Sequence, residues 1–157
     1  MAIKYVVGDA TYPQGDGLKF IVHCVNDIGA WGKGFVVSLF KRWERPKAEY
    51  KKWFKKNETL KLGSIQLVKA EEDIIVVNLV GQHGIYSQNG IPPIRYDAIR
   101  KGLQELFQFI NKPDCSLHMP RIGTGLARGN WVEIEKIINE ELINKGIEVF
   151  VYDLPSK

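Results

Sequence analysis

The stretch that decides the fold is MPRIGTGLARGNW, residues 119–131. It contains a short apolar approach, a proline, and then Gly123, Gly125 and Gly129, and a helical pattern begins at Trp131. A strand that continues through such a turn into a helix leaves backbone N–H groups without intrahelical partners, and the helix dipole adds partial positive charge there. We therefore predict that this stretch holds an anion such as a phosphate.

A second stretch has the same form. The sequence NDIGAWGKGFV, residues 26–36, follows the apolar run LKFIVHCV, residues 18–25, and precedes an amphipathic helical pattern. That run is rich in β-branched residues, which is typical of a strand buried on both faces. Either glycine-rich loop alone is also typical of an ordinary turn. Two of them, each after a buried strand and before a helix, predict one ligand with two phosphates.

The remaining patterns predict an α/β sandwich with a mixed sheet of about six strands. Predicted strands cover residues 3–7, 18–25, 63–68, 73–80, 115–119 and 147–154, and helical patterns cover residues 35–43, the segment from Pro46 onward, 96–110 and 131–142. The strands 63–68 and 73–80 are joined by a short acidic turn, which indicates a hairpin. Asn130 is the predicted N-cap of the last helix, with Glu133 as its capping-box partner, and Gly146 is predicted to end that helix.

Length and composition limit the kinds of protein to which this chain can belong. A chain of 157 residues with 45% apolar residues is one domain by length and can bury a core. No apolar run approaches the ~20 residues of a membrane span, and the first residues lack a signal-peptide layout, so we expect a cytoplasmic protein. Cys24 and Cys115 are isolated, which indicates reduced thiols rather than a disulfide framework or a zinc site. We expect neither a metal nor another cofactor.

The positive charge is concentrated in residues 41–61, which hold nine Lys or Arg against three Glu. One interpretation is a surface that faces a polyanion. The other is a solvated helix pair whose aromatic residues, Trp43, Tyr50, Trp53 and Phe54, turn to the core. The helical spacing of these aromatics favours the second interpretation. Direct nucleic-acid binding remains the less favoured alternative.

The common nucleotide-binding and nucleophile motifs are missing. Gly32-Lys33-Gly34 is followed by Phe35 and not by the Lys-Ser/Thr of a P-loop, and GTGLARG places its third glycine one position late for a dinucleotide fingerprint. The chain has no G-x-S-x-G nucleophile elbow. The two loops therefore belong to another kind of phosphate binder.

Four motifs in order resemble the macrodomain family. They are Gly8-Asp9 after the first strand, HCVN at residues 23–26, GKGFV at residues 32–36, and PRIGTGLARGNW followed by a helix and a VYDL strand. The resemblance covers essentially the whole chain and is closest to the subgroup of terminal ADP-ribose protein glycohydrolase and ADP-ribose-1″-phosphate phosphatase. It implies a single macrodomain over residues 1–157, a three-layer α/β/α sandwich with a mixed, mostly parallel six-stranded sheet. It also implies a monomer that binds ADP-ribose or an ADP-ribosylated molecule and no membrane.

The resemblance also implies the ligand contacts. Asp9 would accept a hydrogen bond from the adenine amino group, and Asn26 would contact the distal ribose. The implied ligand-binding set is Gly8, Asp9 and Ala10 at adenine; Asn26, Gly81 and Gln82 at the distal ribose; Gly32, Lys33, Gly34, Phe35 and Val36 in the first diphosphate loop; and Arg121, Gly123, Thr124, Gly125, Leu126, Ala127 and Arg128 in the second. Phe150 and Tyr152 are expected either near adenine or in the core.

Two positions depart from the glycohydrolase pattern. The subgroup uses a lysine after the central strand and an aspartate in the late glycine-rich loop, where this chain has Gln82 and Ala127. A lysine can attack C1″ of the ribose and an aspartate can act as its acid–base partner, whereas glutamine and alanine can do neither. The covalent route is therefore not expected here.

A water-mediated route remains. In it, Asn26 orients the distal ribose, and His23, Asp27 or His83 moves protons. His83 is the best of these because it lies on the loop after a central strand and because imidazole is a side chain suited to proton transfer. The predicted reaction removes a phosphate, an acyl group or ADP-ribose itself from the distal ribose, and we favour it because non-catalytic readers are more often attached to other domains. The alternative is a reader module that binds ADP-ribose without turnover.

Overall fold

The computed structural model describes residues 1–156; residue 157, the last of the predicted domain, lies outside them. In chain order the elements are β1 (Lys4–Val7), β2 (Leu18–Asn26), α1 (Phe35–Arg42), α2 (Arg45–Asn57), β3 (Ile65–Glu71), β4 (Ile74–Gln82), α3 (Tyr96–Ile110), β5 (Cys115–Met119), α4 (Trp131–Glu141) and β6 (Val149–Asp153). The six strands lie in one sheet in the order β1-β6-β5-β2-β4-β3. Every neighbouring pair is parallel except β3 with β4. The predicted mixed, mostly parallel α/β/α sandwich is confirmed.

The two faces of the sheet carry separate cores because successive side chains of a strand point to opposite sides. On one face, Val22, Leu79 and Leu117 pack with residues of α3 and α4. On the other face, Ile21 packs with Leu39 of α1, and Val25, Val80 and Tyr50 of α2 form a further cluster. The predicted burial of the aromatics in residues 41–61 is confirmed, since Trp43, Tyr50, Trp53 and Phe54 all pack against these clusters.

Several predicted boundaries shift. Strand β4 extends to Gln82, two residues past the predicted end, because Asn26 continues the parallel pairing opposite Gln82. The last helix ends at Glu141, and a short 3₁₀ helix, Ile143–Lys145, follows before Gly146 closes it at φ 86°. The N-cap prediction is confirmed: Oδ1 of Asn130 accepts from the N–H of Val132 at 2.9 Å.

The topology places both glycine-rich loops at one edge of the sheet. Strands β2, β4, β5 and β6 run parallel, so their carboxyl ends meet there. One loop leads from β2 to α1 and the other from β5 to α4. In open α/β sheets this edge is where ligands bind. Among residues 1–156, no helix has the length and apolarity that a bilayer span needs.

Candidate functional site

A cleft of about 510 Å³ opens at this edge of the sheet. Its walls are the ends of β2, β4 and β6 and the two glycine-rich loops. The predicted residues that line it are His23, Asn26, Gly32, Lys33, Gly34, Phe35, Val36, Gln82, Arg121, Gly123, Thr124, Gly125, Leu126 and Ala127. Ligand pockets typically measure about 300–1,000 Å³, so the cleft suits a nucleotide-sized molecule.

The first loop is held by Asn26. Its Oδ1 accepts from the N–H groups of Ile28 and Ala30, and its Nδ2 donates to the carbonyl of Ala30 at 2.7 Å. The hydroxyl of Tyr50 in α2 donates to the carbonyl of Asn26 at 2.6 Å. An amide carries two N–H donors, and within residues 1–156 Nδ2 of Asn26 uses only one of them.

The N-terminus of α1 points into the cleft. Gly34 occupies the N-cap position with φ 83°, a left-handed conformation that a side chain would strain. The next residues, Phe35 and Val36, line the cleft, and the first N–H groups of a helix have no intrahelical partner. Among residues 1–156, Lys33 forms no ion pair, and it adds a positive charge beside these N–H groups. This end of α1 is therefore suited to an anion.

The second loop is tightly folded on itself. The N–H of Gly129 donates to the carbonyl of Gly123 at 2.7 Å, and the N–H of Arg128 donates to Gly125 at 3.0 Å. A Cβ on Gly129 would lie 2.5 Å from that carbonyl oxygen, and one on Gly123 would lie 2.7 Å from Cδ1 of Ile94. Glycine is required at both positions because the loop packs directly against the core.

An aspartate–histidine pair lies beside the cleft. Nδ1 of His83 is 2.6 Å from Oδ2 of Asp27, and Oδ1 of Asp27 accepts from the N–H of Gly84 at 2.8 Å. The side chain of Asp27 is 9% exposed and that of His83 is 46% exposed. Neither residue lines the cleft, but each directly follows a residue that does, Asn26 and Gln82. The contact with Asp27 fixes the orientation of the ring and occupies Nδ1, so the other ring nitrogen, Nε2, faces away from the carboxylate.

His23 borders the cleft but is only 2% exposed. The amide nitrogen of Asn78 donates to Pro46 and Gln66, so its Oδ1 is the acceptor and Nε2–H of His23 donates to it at 2.5 Å. Nδ1 of His23 therefore carries no proton, and it has no partner within residues 1–156. Burial lowers the pKa of His23 to about 4, against the opposing effect of the Asn78 bond. A neutral, enclosed imidazole is poorly suited to the predicted proton transfer.

The three residues predicted at adenine stand outside the cleft wall. Oδ1 of Asp9 accepts from the N–H and the hydroxyl of Thr11, both at 2.8 Å, and Ala10 is buried. The N–H of Gly8 donates to the carbonyl of Asp153 at 2.8 Å, and Asp153 does line the cleft. The Gly8–Ala10 turn thus adjoins the β6 end of the cleft without forming its surface.

Gly81 and Arg128 do not line the cleft either. Gly81 lies inside β4 because the strand runs further than the sequence pattern indicates. A Cβ at Gly81 would approach Sγ of Cys24 to 2.9 Å. Arg128 has φ 61° and borders a separate cavity of about 250 Å³ with Ser87, Gly90 and Pro92. The turn of the second loop directs it away from the cleft.

Asp153, which no sequence pattern indicated, pairs with Arg121 in the cleft wall. The Arg121 guanidinium bonds both carboxylate oxygens, at 2.7 and 3.0 Å, and it also lies over the rings of Tyr5 and Trp131. This pairing lowers the pKa of Asp153. The signal available in the sequence was a pair of opposite charges at the carboxyl ends of two strands, Arg121 shortly after β5 and Asp153 as the last residue of β6. Ala30, Ile85, Tyr86 and Leu154 also line the cleft. So does Tyr152, which was expected either near adenine or in the core. Within residues 1–156, no cluster of metal-ligating side chains occurs.

Comparison with known proteins gives the family. No family model matches the chain. It is 34% identical to mouse chromodomain-helicase-DNA-binding protein 1-like over 98% of its own length, but it spans only 18% of that protein. It is 30% identical to bovine ADP-ribose glycohydrolase OARD1, covering 97% of this chain and 91% of the relative. An ADP-ribose 1″-phosphate phosphatase from Candida albicans is 24% identical over 95% of this chain and 99% of its own.

Solved structures agree with this relationship. A protein of unknown function from Bacteroides thetaiotaomicron is 53% identical, with a TM-score of 0.95 over 98% of this chain and 99% of that one. A macrodomain protein from Streptomyces coelicolor is 41% identical, with a TM-score of 0.83 over 96% and 98% of the two chains. These nearly full-length matches show that the chain belongs to the macrodomain family, in the subgroup of the bovine and Candida relatives.

Proposed function

We propose that the cleft binds ADP-ribose, free or attached to another molecule. The observation that carries this proposal is the pair of glycine-rich loops that follow adjacent parallel strands and line one cleft. ADP-ribose carries two adjacent phosphates, one for each loop. The names of the bovine and Candida relatives, an ADP-ribose glycohydrolase and an ADP-ribose 1″-phosphate phosphatase, support the same ligand.

In this proposal the ligand lies along the cleft from β6 to β2 and β4. Adenine occupies the β6 end near Tyr152, beside the Gly8–Ala10 turn that adjoins the cleft, and its amino group donates to Oδ2 of Asp9, the carboxylate oxygen that does not bind Thr11. The diphosphate binds between the N-terminus of α1, with Lys33, and the second loop. The distal ribose lies at the opposite end, where the free Nδ2 hydrogen of Asn26 and the side chain of Gln82 contact its hydroxyls.

We further propose that the protein is a hydrolase that acts at C1″ of the distal ribose. A water molecule, oriented beside Asn26, attacks C1″; the new bond joins water oxygen to C1″, and the bond to the leaving oxygen breaks. His83 takes the proton from the water and returns it to the leaving group, while Asp27 fixes the ring and stabilises its charged form. Gln82 and Ala127 provide no nucleophile, so no covalent intermediate forms. We expect this protein to act as a monomer in the cytoplasm.

A panel of four substrates tests the proposal. The purified protein is incubated with ADP-ribose-1″-phosphate, O-acetyl-ADP-ribose, glutamate-linked ADP-ribose and nucleic-acid-linked ADP-ribose, and released ADP-ribose is measured. Turnover of ADP-ribose-1″-phosphate or of either linked ADP-ribose, lost in the His83→Gln variant, supports hydrolysis at C1″. Turnover of O-acetyl-ADP-ribose, whose ester is cleaved at the acyl carbon, shows instead that the site removes acyl groups. Binding of ADP-ribose with no turnover on the whole panel would instead establish the second candidate, a reader module. The observation that favours a reader is the unreactive pair Gln82 and Ala127, with Ala127 only 2% exposed.

A further inference from the structure

Two neighbouring strands bury a chain of polar side chains that the proposed hydrolysis does not use. Ser116 and His118 of β5 and Tyr152 of β6 are each at most 4% exposed. Nε2 of His118 lies 2.8 Å from Oγ of Ser116, and Nδ1 lies 2.7 Å from the hydroxyl oxygen of Tyr152. Phe150 stacks flat on the imidazole, with ring centroids 4.8 Å apart. We call Ser116, His118 and Tyr152 the polar chain.

The hydrogen bonds of the polar chain have one direction. The backbone N–H of Gln14 donates to the hydroxyl oxygen of Tyr152 at 2.8 Å. Within residues 1–156, the hydroxyl hydrogen of Tyr152 has one acceptor, Nδ1 of His118. A neutral imidazole that accepts at Nδ1 carries its proton on Nε2, so Nε2–H donates to Oγ of Ser116. The neutral form is the stable one here, because burial and then the charge of Lys19 lower the pKa of His118 to about 4.

Tyr152 joins the polar chain to the loop between β1 and β2, residues 8–17. Its hydroxyl receives the N–H of Gln14 toward one end of this loop. Its ring packs against the other end, where a Cβ on Gly8 would lie 3.6 Å from Cδ2 of the tyrosine. Asp9, which the proposed function assigns to the amino group of adenine, lies between these two contacts. The place of its carboxylate therefore depends on where Tyr152 holds the loop.

Other hydrogen bonds hold only the two ends of the β1–β2 loop. The side chain of Arg42 donates to the carbonyl of Thr11 at 3.2 Å, and Nζ of Lys19 donates to the carbonyl of Gly17 at 3.1 Å. Between these points, the bond from Gln14 to Tyr152 is the one that ties residues 13–16 to the rest of the described chain, residues 1–156. The polar chain is thus the support of the middle of the loop.

Stability alone does not require polar groups at this place. Burying hydroxyl and imidazole groups costs free energy that their hydrogen bonds only offset, and apolar side chains of the same shape would avoid the cost. What the polar chain adds is a fixed position for one hydroxyl group. Because hydrogen bonds are directional, that hydroxyl sets where the N–H of Gln14 lies.

We propose that His118 is a positioning residue for the base: through Tyr152 it holds the β1–β2 loop so that the carboxylate of Asp9 meets the amino group of adenine. This inference rests on the proposed function and deepens it. Selectivity for adenine then depends on a side chain that the ligand does not touch, because His118 is fully buried and does not line the cleft.

The test compares two ligands that differ only in the base. They are ADP-ribose and its deamino analogue, in which a hydrogen atom replaces the amino group of adenine and cannot donate to Asp9. Calorimetry measures both affinities for each variant, and the ratio of the two affinities is the readout. Because the analogue keeps every other contact, a general weakening of the cleft lowers both affinities and leaves the ratio unchanged.

Three variants address the polar chain. His118→Leu removes both hydrogen bonds of the imidazole. His118→Gln is the conservative rescue, since its amide can accept from Tyr152 and donate to Ser116. Tyr152→Phe keeps the ring against Gly8 and removes only the hydroxyl, so it decides the question even if His118→Leu does not fold.

Two further variants are controls. Asp9→Asn changes the proposed reader of the amino group directly and should lower the ratio. Ile110→Ala destabilises the fold from the other face of the sheet, where Ile110 is 1% exposed at the end of α3. This second control should lose stability and keep the ratio.

We expect the wild type to prefer ADP-ribose about tenfold, as a hydrogen bond to a carboxylate provides. His118→Leu and Tyr152→Phe should reduce this preference to about twofold, with little change in affinity for the analogue, and His118→Gln should keep it. An unreduced preference in Tyr152→Phe, or an equal reduction in Ile110→Ala, would overturn the inference. So would a wild type that binds both ligands equally, although the proposed function would stand. Failure of the wild type to bind either ligand would instead reject the proposed function and this inference with it.

Discussion

His83 and Asp27 carry the proposed chemistry, and their separate replacement tests it. His83→Gln removes the acid–base group but keeps a polar side chain, so we expect kcat on the active substrate to fall about 100-fold. Affinity for ADP-ribose should change little, because the proposed ligand contacts come from Asn26, Gln82 and the two glycine-rich loops. Asp27→Asn should also lower kcat, since the amide cannot stabilise the charged ring. An unchanged kcat in His83→Gln, measured by release of ADP-ribose, would contradict this role.

Two buried histidines predict how stability depends on pH. Burial lowers the pKa of His23 and of His118 from 6.5 to about 4, so each stays neutral in the folded chain. Between pH 6.5 and pH 4 the two histidines bind protons in the unfolded chain but not in the folded chain. Their contribution to stability is therefore greatest above pH 6.5 and falls as the pH drops toward 4. We expect each histidine to cost about 2 kcal/mol between pH 6.5 and 5.

Urea unfolding at pH 6.5 and at pH 5 measures this loss of unfolding free energy. His118 has partners that a glutamine can also bond, the hydroxyls of Ser116 and Tyr152 at 2.8 and 2.7 Å. His118→Gln should therefore remove its share of the pH dependence while the fold persists. A variant with the same loss of stability on acidification as the wild type would show that His118 is not the group that titrates.

At the scale of elements, the second glycine-rich loop is the most constrained segment. Gly129→Ala forces a Cβ against a carbonyl oxygen 2.5 Å away, and the neighbouring backbone must shift. We expect a loss of about 1–3 kcal/mol in unfolding free energy and a weaker affinity for ADP-ribose. Gly125→Ala is the matched control for stability, because nothing lies within 4 Å of its added Cβ. Equal stability of both variants by thermal unfolding would refute the tight-loop interpretation.

Helix α4 depends on its first residues. Asn130 caps it through the N–H of Val132, so Asn130→Ala should cost about 1 kcal/mol. For a chain of this size that loss lowers the thermal midpoint by about 2–4 °C. Lys136→Ala, an exposed change in the same helix, serves as the control and should leave the midpoint nearly unchanged. An Asn130→Ala midpoint equal to that of the control would mean that the cap contributes nothing.

For the whole molecule, sequence patterns predicted the layers, the strand number and the two loops, because hydrophobic periodicity and glycine placement are local signals. They did not predict what depends on contacts between strands. The predicted end of β4 was two residues too early, because pairing of Gln82 with Asn26 of β2 extends the strand. Gly81 is therefore a buried strand residue and not part of a ligand-binding loop. The surroundings of His23 depend on Asn78 of the neighbouring strand, and the partner of Arg121 lies at the end of β6. Such pairings cannot be derived from one strand alone.

The central claim is that this cleft binds ADP-ribose, and a ligand-dependent thermal shift tests it most directly. A ligand that binds only the folded state, present at 100 times its Kd, stabilises that state by about 2.7 kcal/mol. For a chain of this size that corresponds to a rise of about 5–10 °C in the thermal midpoint, and Asp9→Ala should abolish most of it if adenine is read there. No shift with millimolar ADP-ribose would contradict the account.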